Sequence, residues 1–240
     1  MAGLDVSIEK VDFEKAYQDA IDAGAKMPWD IGAPQPKLVE LVKAGEIGDD
    51  VLDVGCGLGD NVIYLAALGR RAVGVDIAPS AVRQAAERAK AQGVDAEFAV
   101  AEATSLAGYE GRFDTIIDFA LYHGLTPEAR FSYIDALTRV TKPGARLHLF
   151  CHFSMDRGDE LPEVFRITEA SLRATVGKTW TVTHIAPTDY SAALTPAELH
   201  KAVQSMVPTQ ELDDARMAEL PADEEGRAVV KVWQLTAIRP

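Results

Sequence analysis

The sequence predicts an α/β fold, a doubly wound, mostly parallel seven-stranded sheet with a C-terminal antiparallel hairpin, an N-terminal helix and a helical insert as lid. Three observations predict it. Short valine- and isoleucine-rich runs alternate with helical patterns from Val51 onward, a glycine-rich turn follows the first run, and the last two runs alternate apolar with polar residues. The 240 residues fit one domain, read as 1–240, with an N-terminal lid segment over 1–44, a ligand-binding core over 45–155 and a helical lid insert over 187–227.

The expected strands are 51–54, 72–75, 96–100, 114–119 and 145–150, with helices near 60–69, 79–92 and 127–141 between them. Ser80 is expected to cap the second helix and Gly93 to end it. Thr126-Pro127 starts the third, which stops before Lys142-Pro143-Gly144. Val11, Phe13, Ala16, Tyr17, Ala20 and Ile21 form a helical stripe over 10–23. Near the end, 179–185 and 228–238 read as strands, and the long insert between them carries helices over 196–206 and 209–220.

Composition narrows the function. With 48% hydrophobic residues, disorder is excluded, and a formal net charge of −13 argues against nucleic acid as a partner. No apolar run is long enough to span a bilayer, and the first residues lack a secretory pattern. The two cysteines, Cys56 and Cys151, read as reduced thiols of a cytoplasmic protein. The chain is expected to be a monomer or homodimer, away from membranes.

The strongest signal is VLDVGCGLGDN, residues 51–61: a strand ending in Asp53 and Val54, a loop of Gly55, Cys56, Gly57 and Gly59, and a helix opening near Asp60 and Asn61. Glycines allow a sharp turn and a close ligand approach, and the arrangement reads as a nucleotide site at the carboxyl edge of a parallel sheet. Counting G-x-G-x-x-G from Gly55 puts Asp60 where the dinucleotide pattern has its third glycine. Acids there oppose a pyrophosphate and suit S-adenosylmethionine, which carries a sulfonium and an ammonium. Asp76, followed by Ile77 after the second strand, can accept hydrogen bonds from both ribose hydroxyls. Glu102, Ala103 and Thr104, after the third strand, are placed to meet the adenine.

These residues resemble the class I S-adenosylmethionine-dependent methyltransferases, a likeness spanning roughly 45–155. It implies a Rossmann-like sheet, S-adenosylmethionine as donor and S-adenosylhomocysteine as product. The residues matching Asp53, Gly55, Gly57 and Gly59 then form the cofactor loop, and Asp76 holds the ribose. Pro28-Trp29-Asp30-Ile31-Gly32-Ala33-Pro34-Gln35-Pro36 and the segment 113–130 resemble the small-molecule subgroup, which includes halide and thiol, thiopurine and bacterial heterocyclic toxin methyltransferases. The likeness puts Trp29 near the methionine end of the donor; the plainer reading is a rigid turn anchored by a tryptophan.

His123, after the fourth strand, is the first candidate for a general base, and His152, after the fifth, the second; the alternative for each is a structural hydrogen bond. Asp118 and Phe119 are expected to border the cofactor. Phe13, Tyr17, Tyr122, His123, Phe153, Tyr190 and Met206 are the candidate acceptor wall, suited to a flat heterocycle, with plain core packing as the alternative for each. Asp118 has no second carboxylate beside it in the sequence, so no metal is expected. The expected function is transfer of the donor's methyl group to an O, N or S atom of a small aromatic or heterocyclic acceptor; the alternatives are a halide/thiol methyltransferase, an NAD-dependent oxidoreductase and a non-catalytic S-adenosylmethionine-binding module.

Overall fold

The computed structural model describes residues 12–152, 167–206 and 220–240. Three helices open the chain: α1 (Phe13–Ala23), α2 (Pro36–Lys43) and, after strand β1 (Asp50–Val54), α3 (Asp60–Ala67). Alternation continues through β2 (Arg71–Asp76), α4 (Pro79–Ala91), β3 (Glu97–Val100), β4 (Phe113–Phe119), α5 (Pro127–Val140) and β5 (Thr141–His152). The chain finishes with α6 (Glu169–Val176), β6 (Thr181–Ser191), α7 (Pro196–Met206) and β7 (Val229–Ile238). The sheet order is β3-β2-β1-β4-β5-β7-β6. All neighbouring pairs are parallel except those of β7, which runs antiparallel to both β5 and β6.

Residues of successive strands alternate between two cores. Leu52, Val54, Ile116, Leu147 and Leu149 pack with Tyr133 and Leu137 of α5 and Leu172 and Val176 of α6. Val51, Ile117, Phe119 and Phe150 pack on the other face with Leu38 and Leu41 of α2 and Val62 and Leu65 of α3. Both faces of the parallel part are therefore covered, as continuous apolar strands require.

Several boundaries differ from expectation. The fifth strand begins at Thr141, so Lys142-Pro143-Gly144 lies within it, and β6 runs through Ser191, so the residues from 187 to 191 belong to the sheet. Two helices escaped the reading. Pro36 sits in the first turn of α2, where its missing N–H costs nothing, and Thr168 caps α6 through a reciprocal capping box with Ser171. Thr126 caps α5 as expected, accepting from the Ala129 N–H at 3.2 Å. Ser80 does not cap α4: Ala78 holds the cap position, and Glu14 of α1 accepts from both the N–H and the hydroxyl of Ser80, at 2.9 and 2.8 Å. Residues 209–219 of the helix expected over 209–220 and the start of the first helix, including Val11, lie outside the described residues, as does Phe153.

Candidate functional site

The glycine loop joins β1 to α3 at the carboxyl edge of the sheet. Gly55, Gly57 and Gly59 have φ of +74°, +53° and +84°, conformations that only glycine adopts without strain. Neighbouring side chains impose the same demand. A Cβ on Gly57 would lie 2.8 Å from the Tyr17 hydroxyl, and one on Gly59 would lie 2.7 Å from Phe98. The N-terminal segment thus lies directly over the loop. Trp29 Nε1 donates to the Tyr17 hydroxyl at 2.8 Å, and Phe13 and Tyr17 both meet the indole edge-on.

Ion pairing fixes that segment. Arg88 of α4 donates from both terminal nitrogens to Asp30, at 2.9 and 2.8 Å, and from one of them to Asp60 at 3.0 Å. Burial alone would raise the Asp30 pKa, but the hydrogen bonds and charge of Arg88 outweigh it and hold the group below its ordinary value. Asp60 goes the other way: burial, with Asp30 adding to it against the pull of Arg88, pushes it up to about 6. Asp60 is therefore not the free acid that the sequence suggested at the third-glycine position, because Arg88 shares its charge. The Gln35 N–H donates to Asn61 Oδ1 at 3.0 Å, and the Gln35 side chain reaches the Ser191 carbonyl at 3.2 Å. Asp30 and Asp60 each stand in a sequence motif, but nothing in the sequence tied either to Arg88, which shares a face of α4 with the buried Ala81 and Ala85.

Between the loop and β6 lies a cleft open to solvent, with about 440 Å³ of empty space. Trp29, the loop glycines, Cys56, Asn61, Phe119 and Tyr190 line it, together with Asp30 and Asp60, and among the described residues its lining holds no lysine or arginine. Asp53 is buried with one carboxylate oxygen, Oδ2, lacking any hydrogen-bond partner, and burial with the nearby charges of Asp118 and Asp76 raises its pKa well above the usual range. Asp76 accepts from the Gly57 N–H at 2.9 Å and the Ala78 N–H at 3.0 Å, one to each oxygen; burial still raises its pKa. Ile77 and Val100, beside it at the strand tips, are 55% and 53% exposed. Exposed Glu102 accepts from the N–H and hydroxyl of Thr104, and Ala103 is buried.

The two residues expected to border the cofactor face opposite ways. Phe119 lines the cleft and stacks on Phe150 at 4.3 Å, whereas Asp118, one residue earlier, turns to the α5 side and accepts from the Tyr133 hydroxyl at 2.9 Å. Strand alternation dictates the split. Tyr122 likewise enters the α5 core, 1% exposed, with its ring 6.4 Å from Tyr133. Of the expected acceptor wall, Tyr190 borders the cleft, while Phe13 and Tyr17 surround Trp29; the Met206 side chain lies outside the described set.

His123 and His152 come together, their ring centroids 3.8 Å apart. His123 sits on a short 3-10 turn (Tyr122–Gly124), half-buried, with Nδ1 shielded and without a hydrogen-bond partner. Burial first, then the neighbouring His152 and Arg130, lower its pKa well below the ordinary histidine value. His152 is an exposed residue, and desolvation around its ring also lowers its pKa. Both imidazoles are neutral at pH 7, the state a general base requires. His148 is instead a core histidine, held by Thr236 at 3.3 Å and the Glu46 carbonyl at 3.2 Å.

Comparison with known proteins agrees with this architecture. A family described as a methyltransferase domain matches residues 51–144. The chain is 36% identical over 178 residues to the 2-heptyl-1-hydroxyquinolin-4(1H)-one methyltransferase of Mycobacteroides abscessus, covering 73% of this chain and 78% of that protein. It is 28% identical over 134 residues to the probable thiol methyltransferase 2 of Arabidopsis thaliana, covering 55% of this chain and 58% of that one. Among solved structures, a protein described by the conversion of a disulfide bond into a thioacetal group during echinomycin biosynthesis superposes with a TM-score of 0.74 at 31% identity, covering 95% of this chain and 90% of its own. A putative methyltransferase from Bacillus halodurans, 13% identical, shares the fold with a TM-score of 0.63 over 85% of this chain and 98% of its own. With its sheet order, glycine loop and relatives in agreement, the chain belongs to the class I small-molecule methyltransferases.

Proposed function

We propose that this chain transfers the methyl group of S-adenosylmethionine to an O, N or S atom of a small, flat aromatic or heterocyclic acceptor, leaving S-adenosylhomocysteine. The observation that carries the reading is the cleft itself: its two wall carboxylates, Asp30 and Asp60, share the one guanidinium of Arg88, the buried acid Asp53 lies beside them with one oxygen unpartnered, and among the described residues no lysine or arginine lines it. Such a site opposes a pyrophosphate and suits a ligand bearing a sulfonium and an ammonium.

The residues fit that donor. The unpartnered oxygen of Asp53 is costly to bury alone and gains from a cation or its bridging water. Each oxygen of Asp76 spends one lone pair on a backbone N–H and keeps capacity for a ribose hydroxyl. Ile77 and Val100 offer exposed apolar surface next to Asp76, suited to an adenine face, with Glu102, Ala103 and Thr104 following at the rim. Gly55, Cys56, Gly57, Gly59 and Asn61 would floor the methionine portion, with Trp29 and Phe119 closing over it.

The sulfonium supplies an already activated methyl group. The protein's task is alignment, which in favourable cases removes roughly 7–11 kcal/mol of barrier. For an acceptor that enters as a neutral hydroxyl, His123 takes the proton as the new bond to carbon forms. Tyr190 supplies a flat wall in the cleft, and the acceptor's hydroxyl would have to reach the His123–His152 pair, which packs beyond the cleft lining. The relative named for a hydroxyquinolinone makes a hydroxylated quinoline the first acceptor to test.

Methyl-labelled S-adenosylmethionine offered in parallel with hydroxyquinolines, quinols, thiols and iodide tests the proposal. Label is expected on a hydroxylated heteroaromatic. Tight binding of S-adenosylhomocysteine with no labelled product from any acceptor would favour a non-catalytic binding module instead.

A further inference from the structure

The turn between β4 and α5 contains a feature that the chemistry above does not use. Ala120 has φ of +81°, in the left-handed region where a Cβ is costly and a glycine is the ordinary choice. Buried Asp118 holds the chain there. Its Oδ1 accepts from the Leu121 N–H at 2.8 Å and the Tyr122 N–H at 3.3 Å, and its Oδ2 accepts from the Tyr133 hydroxyl at 2.9 Å. The Ala120 N–H is pinned to the Phe150 carbonyl at 2.9 Å.

This turn touches both halves of the site. Leu121 covers the glycine loop so closely that a Cβ on Gly55 would lie 2.6 Å from its Cδ1. Two residues on, His123 packs against His152 with 3.8 Å between ring centroids. One rigid, strained turn therefore spans the floor of the donor cleft and the imidazole. Strain persists at a non-glycine position only where surrounding bonds over-determine it, and here all but the Ala120–Phe150 bond end on one carboxylate.

We propose that Asp118 is a positioning residue of methyl transfer: by locking the left-handed turn at Ala120, it fixes His123 relative to the glycine loop. The inference rests on the reading of His123 as the base. Asp118 touches neither donor nor acceptor in this account and acts through its backbone bonds alone.

The test uses the full chain, S-adenosylmethionine and the protic acceptor with the highest turnover. Five variants are compared: Ala120→Gly, Asp118→Ala, the two together, Asp118→Asn and His123→Gln. Ala120→Gly keeps every bond of Asp118 and adopts the same φ without strain, so its unfolding temperature should equal or exceed that of the parent, with S-adenosylhomocysteine affinity and kcat within twofold. Asp118→Ala removes the bonds that hold the turn, and its kcat at pH 6.5 should fall at least fivefold, with a deficit that shrinks below twofold at a pH above the acceptor's own pKa, where no base is needed. Asp118→Asn, which keeps an acceptor oxygen for the two N–H groups, should stay within about threefold of the parent. If Asp118→Ala does not fold, the double variant, in which the turn carries no strain, decides the matter. An unchanged kcat in the folded variant that lacks the carboxylate, or a deficit equal at every pH, would overturn the positioning role while leaving His123 as base. If His123→Gln turns over the protic acceptor as fast as the parent, the base assignment fails and this inference fails with it.

Discussion

Replacing Arg88 with methionine removes the clamp between α4, the glycine loop and the segment bearing Trp29. The Asp30 side chain is 6% exposed, that of Asp60 17%, and that of Arg88 29%. After the substitution, Asp30 keeps a 3.3 Å contact from the Gly32 N–H and its neighbour Asp60, and no cation. Stranding one member of a buried pair costs about 3–5 kcal/mol, and the partial exposure of Arg88 brings the expectation to about 3 kcal/mol. For a chain of this size, that is about 6–12 °C in unfolding temperature. The sign with pH follows. Without Arg88, burial is left to raise the folded-state pKa of Asp30 above its unfolded value. The variant is then relatively more stable below about pH 4 and loses stability as pH rises through the new folded value. Thermal unfolding of the parent, Arg88→Met, Asp30→Asn and the double variant at pH 5 and pH 8 measures this. The double variant should cost clearly less than the two single losses added together. A loss below about 1 kcal/mol in Arg88→Met, or strict additivity of the two substitutions, would refute the clamp.

Three further outcomes are expected. Asp76→Ala should weaken S-adenosylhomocysteine binding at least about thirtyfold, since hydrogen bonds to a carboxylate are worth about 1.5–3 kcal/mol each; equal affinity by calorimetry removes the ribose assignment. Gly57→Ala forces a Cβ to φ of +53°, 2.8 Å from the Tyr17 hydroxyl. The loss should be about 2 kcal/mol in unfolding experiments and be partly recovered by adding Tyr17→Phe; failure of that rescue places the cost elsewhere. Because His123 has a folded pKa well below 6.5, its contribution is present at pH 7 and lost as pH falls below 6.5 through the folded value. Denaturant titrations at pH 7.5 and 5.5 should therefore show a smaller acid loss for His123→Phe than for the parent. Comparing the two chains cancels the opposite trend of Asp118, which burial pushes up to about 7 and whose contribution fades as pH rises from about 4 to about 7.

The strand-and-glycine core was legible because its signals are local. Val51 through Asp60 spell a strand, a positive-φ loop and a helix start within ten residues, and Thr126-Pro127 announces α5 by capping chemistry alone. The site's supports were not legible, because they join residues distant in sequence. Asp30 meets Arg88 across 58 positions, and Glu14 caps a helix 66 positions away, displacing the local Ser80 reading. Strict alternation along β4 did hold the information that Asp118 and Phe119 face opposite sides. Proximity in sequence concealed it, and Tyr122 was drawn inward by the same turn. The meeting of His123 with His152 depends on the parallel pairing of β4 and β5, in which Phe119 stands opposite Phe150.

Titrating the protein calorimetrically with S-adenosylmethionine, and separately with a pyridine dinucleotide, probes the acid-lined cleft most directly. Saturable heat from the sulfonium compound, sharply reduced by Asp76→Ala, together with none from the dinucleotide, is the predicted result. Binding of the dinucleotide without binding of the sulfonium compound would contradict it.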